Sequence, residues 1–189
     1  MKRIAILIVS LAMGVVTALA VGHFVTAKRQ PAHVIQAQWK NVYRTTGGLV
    51  AGADLVVIAS HMSAEPGRVV GEGEDATPFT NNTFAVESIL KGVHEGTTLM
   101  LEQTGGVMAN GQVYNIDDGG PYEPGATYML FLKGRGDGSY YLINYQARYK
   151  LVDGLLEGVD PTDRVVARLH GRTFDEGREM VFKRARLLE

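Results

Sequence analysis

The residue types that commonly perform catalysis are present, but their spacing matches no known catalytic motif. The five histidines show no short ligand spacing, such as a pair at i and i+4 that would bind zinc from one helix face. Ser60 and His61 are adjacent, yet no G-x-S-x-G elbow surrounds them and no acid partner is identifiable. The sequence therefore predicts no catalytic residue, no metal site and no cofactor. Catalytic groups can converge from distant strands, so a cell-envelope hydrolase stays open as the alternative.

A polar loop before two glycines offers oxygen atoms to a hard cation. Its candidate ligands are Asn115, Asp117 and Asp118. A calcium loop of the EF-hand type that began at Asn115 would need a carboxylate at its twelfth position, where Ala126 stands instead. Since the chain has no cysteine, thiolate metal sites are excluded as well. We interpret this segment as a polar loop without a metal.

The first 29 residues decide where the chain goes. Two basic residues precede an almost uncharged run over residues 4–27, and two more follow it. A helix needs about 20 apolar residues to cross the hydrocarbon core, so this run predicts a transmembrane anchor. A signal peptide cleaved after Ala20 is the alternative, because small residues precede that position. The apolar run continues past Ala20, which favours the anchor.

The charges beside the apolar run bear on its orientation. Both flanks carry two basic side chains, but the terminal amine adds a positive charge at the N-terminal side. We therefore expect a single-pass membrane protein, in contact with the membrane through residues 4–27, with the C-terminal domain outside the cytoplasm. Cleavage after Ala20 would give a secreted protein instead.

The rest of the chain, about 160 of the 189 residues, is long enough for one domain with a single core. A net charge of −1 gives no electrostatic footprint for nucleic acid, which is not an expected partner. The 23 glycines exceed the usual share of about 7%, and this excess indicates many tight turns. The composition favours a mainly β fold.

Apolar runs bounded by turn residues predict about six strands. The first is Asp54 to Ser60, and residues 62–82 are predicted to be a long exposed loop, or a loop with a short strand at 68–70. The continuous apolar run from Tyr128 to Leu132 predicts a central strand covered on both faces. The pairs at 110–111 and 153–154, Asn-Gly and Asp-Gly, are typical of two-residue hairpins, because such residues tolerate the positive φ of a type I′ turn.

The C-terminal end changes to helical signals. Asp160 followed by proline predicts the start of a short helix that ends at Gly171. Thr173 with Glu176 three residues later is a capping-box pattern, which predicts a second helix running to about Leu188.

Three phrases of sequence occur in order along the chain: ADLVVIA at 53–59, FAVESILKG at 84–92 and GATYMLFL at 125–132. Together they resemble the OB-like barrels of the netrin and metalloproteinase-inhibitor (TIMP-like) superfamily, and bacterial extracytoplasmic domains of the same layout. The resemblance covers roughly Ala53 to Leu156 and implies a small OB-like antiparallel β-barrel. Inhibition in that family depends on an N-terminal cysteine that reaches the protease zinc. This chain has no cysteine, so only the fold carries over.

The predicted organisation therefore has four parts. An anchor or signal helix occupies 1–29, a linker and lead-in 30–52, a mainly β, OB-like barrel 53–159, and one or two helices 160–189. OB-like barrels often bind ligands through aromatic side chains on one sheet face. Strand alternation would place Tyr141 and Tyr145 on one such face and Tyr140 on the other.

Tyr122, Tyr141 and Tyr145 are the candidate ligand-binding residues. Without a catalytic motif, the sequence favours a membrane-anchored, extracytoplasmic binding or protein-interaction module. Its expected partner is a protein or an envelope ligand. A structural subunit that pairs through an exposed strand edge is a third possibility.

Overall fold

The computed structural model describes residues 33–35, 39, 41–116 and 118–188, which form a mainly β fold, as predicted. The predicted anchor or signal at 4–27 lies outside these residues. In the part of the chain that is described, no helix is both long enough and apolar enough to cross a membrane.

Ten strands and two α-helices occur in the described residues. The strands are β1 (His33–Ile35), β2 (Leu55–Val70), β3 (Thr77–Lys91), β4 (Thr98–Thr104), β5 (Gly106–Val107), β6 (Val113–Ile116), β7 (Thr127–Gly134), β8 (Tyr140–Leu142), β9 (Arg148–Val152) and β10 (Leu155–Gly158). The helices are α1 (Thr46–Gly52) and α2 (Phe174–Arg186), and short 3₁₀ turns occur at Gly73–Asp75, Tyr145–Ala147 and Val166–Arg168.

Five strands of the larger sheet close into a ring. Around the ring, β7 pairs with β2, β2 with β3, β3 with β4, β4 with β8, and β8 with β7. Strands β9 and β10 extend the sheet beyond β7, and a separate small sheet has the order β1-β6-β5. The joint between β4 and β8 is parallel, at Leu101 and Tyr140, while the other four are antiparallel. A ring with an odd number of strands cannot be antiparallel at every joint, so the expectation of a wholly antiparallel sheet is wrong at this one.

The predicted central strand is confirmed in β7. From Tyr128 to Leu132, every side chain is at most 1% exposed. The strand pairs with β2 on one side and with both β9 and β8 on the other. Coverage of both faces requires apolar side chains at consecutive positions, which is the pattern that the sequence shows.

The long loop predicted over 62–82 is wrong. Strands β2 and β3 instead form one long hairpin, paired from Val56 with Lys91 to Val70 with Thr77. Beyond Ser60, β2 has no described strand on its other edge, and an edge strand tolerates Pro66 because proline has no N–H to donate. Most side chains of this extension are exposed, so no apolar alternation marked it as a strand.

The two predicted hairpin turns have different outcomes. Asp153 and Gly154 both have positive φ, 50° and 81°, between paired Val152 and Leu155, as a type I′ turn requires. The other hairpin forms between β5 and β6, but only its glycine has positive φ. The Asn110 side chain accepts a bond from the Gln112 amide in a longer loop, so the two-residue turn predicted there is wrong.

The second C-terminal helix is confirmed, and the first is not. Thr173 and Glu176 form the reciprocal capping box at the start of α2. Asp160 accepts bonds from the amide and hydroxyl of Thr162, as a helix cap would. However, the segment that follows contains only a 3₁₀ turn, Val166–Arg168, before Gly171. The turn is held by apolar burial of three side chains, Val165, Val166 and Leu169, instead of by a regular helical ladder.

Candidate anion-binding site

A surface recess of about 560 Å³ is lined by nine residues, five of which are arginines. The arginines are Arg44, Arg164, Arg168, Arg172 and Arg184. The other lining residues are Thr45, Thr46, Gly47 and Met180, so none of the nine carries a negative charge. We refer to this feature as the arginine recess. Its charge contrasts with the net charge of −1 for the whole chain.

One wall of the recess is built by the lead-in to α1. Thr45 caps that helix, because its hydroxyl oxygen accepts a bond of 3.0 Å from the Gly48 amide. Leu49 and Val50 are fully buried in the core and hold the helix in place. At the other end, the Lys91 ammonium donates to α1 carbonyl oxygens, among them that of Val50 at 2.9 Å. Contacts at both ends thus hold α1 in place, and this fixes the backbone beside Arg44.

The second wall is the segment between β10 and α2. Two hydrogen bonds attach it to β10, one from the Leu156 amide to the Arg172 carbonyl and one from the Gly171 amide to the Leu156 carbonyl, at 2.9 and 2.8 Å. Val166 and Leu169 are fully buried. Because these apolar side chains point into the core, the arginines at 164 and 168 are left exposed on the outer side.

The fifth arginine comes from α2. Val181 and Ala185 bury one face of this helix, and Arg184 is half-buried beside them. Its guanidinium donates to the Met180 carbonyl oxygen at 3.2 Å. The aliphatic part of Arg184 also lies about 4.0 Å from the point where a Cβ on Gly47 would stand, which places α2 against α1 at the recess. Three separate segments therefore deliver the arginines.

None of the five guanidinium groups forms an ion pair with a described residue. Arg172 donates to the backbone carbonyl of Arg168 at 2.7 Å. The nearby carboxylate of Glu176 is engaged in its own helix cap: hydrogen bonds from Thr173 lower its pKa, and the charge of Arg172 adds to the effect. Like charges that lie close together repel each other, so a bound anion would lower the electrostatic energy of the recess.

The guanidinium groups of the recess are suited to binding anionic ligands. Arginine presents a planar fork of N–H donors that pairs bidentately with carboxylate or phosphate oxygens and stays protonated at all physiological pH values. The arrangement can therefore bind an anion and hold its orientation.

The three tyrosines predicted to bind a ligand lie in different settings. Tyr122 is 4% exposed and packs edge-on against Phe84 and Tyr128, with ring centroids 4.9 and 5.1 Å away. Tyr141 lies on β8 and is 37% exposed, under the guanidinium of Arg135 at 4.9 Å. These two side chains share no described partner.

Strand β8 ends at Leu142, and Tyr145 lies beyond it in a 3₁₀ turn. The expected alternation of Tyr141 and Tyr145 along one strand is therefore wrong. The Tyr145 hydroxyl donates to Asp163 at 3.0 Å, and burial together with this carboxylate raises the pKa of Tyr145 to about 12. The three tyrosines do not form a common aromatic face. That they bind a ligand stays a prediction.

His61, which follows Ser60, and a second histidine, His94, have different partners in the structure. His61 is 3% exposed, and its ring packs against Phe84, with centroids 5.1 Å apart. Neither of its ring nitrogens has a described hydrogen-bond partner. His94 bonds instead to the Tyr140 hydroxyl at 3.2 Å and to the Thr98 carbonyl oxygen. Among the residues that the structure describes, no group of three or more acidic or histidine side chains is placed to hold a metal ion.

A buried polar cluster includes Asp118, which the sequence placed in a polar loop without a metal. Asp118 is 3% exposed and accepts bonds of 3.0 and 3.2 Å from the Gln103 amide. Arg148 donates to the Gly120 and Pro121 carbonyl oxygens, and its guanidinium lies 3.9 Å from the centre of the Tyr122 ring. Burial raises the pKa of Asp118 to about 6, although Arg148 and Gln103 act in the opposite direction. Within the described residues, Asp118 is thus part of the protein interior.

No protein-family model matches the chain, and no curated protein matches it significantly. The class of protein is therefore defined by fold and site. It is a mainly β protein with a five-stranded ring and a cationic recess at its helical side.

The arginine recess was not predicted from the sequence. One signal was present, since Arg164, Arg168 and Arg172 recur at intervals of four residues. Arg44 and Arg184 lie 140 positions apart, and nothing in their local sequence indicates that they meet. The neutral overall composition also hides a local concentration of charge.

Proposed function

We propose that this protein is a non-catalytic, extracytoplasmic binding module that holds an anionic ligand or partner in the arginine recess. The observation that carries the proposal is that five arginines, none of them in an ion pair with a described residue, line one recess of about 560 Å³. An anion that enters would relieve their mutual repulsion and satisfy donors that have no described acceptor.

The fold part of the proposal is an OB-like barrel of the TIMP and netrin type. It is supported by the closed ring of five strands and by the sequence phrases, which lie on β2, β3 and β7. Such barrels serve binding functions in many proteins, but fold alone does not fix function. The proposal for a ligand therefore depends on the recess and not on the barrel.

Anion binding is tested by isothermal titration of the full-length chain, in uncharged detergent, with inorganic pyrophosphate and with citrate. We expect binding of at least one of them, weakened at least tenfold by the double substitution of Arg164→Ala and Arg168→Ala, because hydrogen bonds to charged groups contribute about 1.5–3 kcal/mol each. Both side chains are exposed and make no described contact through their guanidinium groups, so the fold should be retained.

The matched control is Arg178→Ala. Arg178 is an exposed arginine of α2 outside the recess, paired with Asp175 at 3.4 Å. Its loss should leave the affinity unchanged. Equal binding by the double variant and the wild type, or no binding of either anion, would contradict the proposal.

We also propose that residues 4–27 anchor the protein in a membrane, which predicts a fractionation result. Because the apolar run continues beyond Ala20, the full-length chain should stay in the membrane fraction after a carbonate or high-salt wash. The measurement is an immunoblot of pellet and supernatant, with N-terminal sequencing of any soluble product. A soluble protein that begins at Val21 would show cleavage instead.

A further inference from the structure

We propose that the ligand of the arginine recess carries two or more adjacent phosphate groups, free or as a lipid headgroup. This inference rests on the proposed function, since it specifies which anion the recess takes. It is carried by the number of arginines, by the directions from which they come, and by what else lines the recess.

The first argument is charge. Five arginines line the recess, and no lining residue is acidic. A single carboxylate brings one negative charge and two oxygens, which can satisfy two forks at most. A phosphomonoester carries a charge of about −1.5 to −2 and three acceptor oxygens. Two adjacent phosphates therefore come close to the charge that the recess presents.

The second argument is direction. Arg44 precedes α1, Arg168 belongs to the segment before α2, and Arg184 lies on α2 itself. Forks that start from three segments approach a bound group from several sides. A carboxylate offers its oxygens in one plane, whereas the oxygens of a phosphate are tetrahedral and face several directions. A tetrahedral acceptor can thus pair with more of these forks at once.

The third argument is the remainder of the lining. Thr45 uses its hydroxyl oxygen as an acceptor for the Gly48 amide, which leaves its hydroxyl proton to donate to a ligand oxygen. Met180 is the only large apolar side chain among the nine lining residues, and none of the nine is aromatic. None of the nine therefore offers an aromatic ring on which a nucleobase would stack. Recognition therefore falls on the phosphates and not on an attached base.

The test compares anions that differ in charge and in the geometry of their oxygens, on the full-length chain in uncharged detergent. Pyrophosphate, orthophosphate and citrate are titrated calorimetrically at one ionic strength. We expect pyrophosphate to bind at least tenfold more tightly than citrate or orthophosphate. A short-chain alkyl diphosphate distinguishes the two sources: tighter binding than pyrophosphate identifies a lipid headgroup, and equal or weaker binding identifies a free phosphate compound.

A charge-conserving variant separates fork geometry from charge. Arg168→Lys keeps the positive charge but replaces the planar fork with a point charge. It should reduce the preference for pyrophosphate over citrate several-fold while citrate binding changes little. The exposed side chain makes no described contact, and a melting curve equal to that of the wild type verifies the fold.

The failures of the two proposals are distinguishable. Citrate binding as tight as pyrophosphate binding, and still weakened at least tenfold by the Arg164→Ala and Arg168→Ala pair, would overturn the phosphate inference and leave an anion site in place. No binding of any of these anions would overturn both.

Discussion

Replacing Leu130 with Ala is expected to lower the free energy of unfolding by about 2–5 kcal/mol, the usual range for a buried leucine. Leu130 is fully buried in β7 and pairs in register with Val57 of β2 and Arg148 of β9. Three carbons would be removed from the strand shared by the ring and its extension, where neighbouring strands limit collapse around the cavity. Urea unfolding, followed by far-UV circular dichroism, measures the change.

Leu187→Ala is the matched control for this substitution. Leu187 is 79% exposed just beyond α2, so the same deletion of atoms should change the stability by less than about 0.5 kcal/mol. A loss well under about 1 kcal/mol for Leu130→Ala would mean that β7 is not the centre of the core. The assignment of the ring would then be wrong.

Those parts of the fold that depend on local chemistry were predictable from the sequence. Residues 128–132 are apolar at every position, as a strand covered on both faces requires. Thr173 and Glu176 satisfy each other's helix-start donors within four residues of chain. Asp153 and Gly154 tolerate the positive φ that their turn needs. In each case, the cause of the structure lies within a few neighbouring residues.

The parts that depend on distant partners were not predictable. The extension of β2 from Met62 to Val70 is stabilised by pairing with β3, and its exposed side chains carry no alternating pattern. The segment between Asp160 and Gly171 has helix-start signals, yet burial of Val166 and Leu169 against the core sets a tighter turn. The arginine recess combines three segments in the same way. The local sequence around a residue does not show which distant residues the tertiary fold places beside it.

The buried carboxyl of Asp118 makes stability depend on pH, with a definite sign. Its pKa is about 6 in the folded protein, against an ordinary value of 3.8, because burial disfavours the charged form. The folded state therefore holds the proton more tightly than the unfolded state between these values. The resulting stabilisation is complete below about pH 3.8 and is lost as the pH rises through about 6. At about 1.4 kcal/mol per pH unit, the loss is on the order of 3 kcal/mol.

Asp118→Asn should remove this loss and make the protein more stable than the wild type at pH 7.5, by up to about 3 kcal/mol. Asparagine keeps the shape and can still accept the bond from the Gln103 amide, but it cannot ionise. Urea unfolding at a series of pH values from 4 to 8 measures both proteins. Their curves should coincide near pH 4 and separate through pH 6, whereas exposed Asp75→Asn should follow the wild type throughout.

A variant that is less stable than the wild type at pH 7.5 would show that attraction between Asp118 and Arg148 outweighs the cost of burial. In that case, the cluster would be held together by charge, and its stability would fall in acid instead of rising.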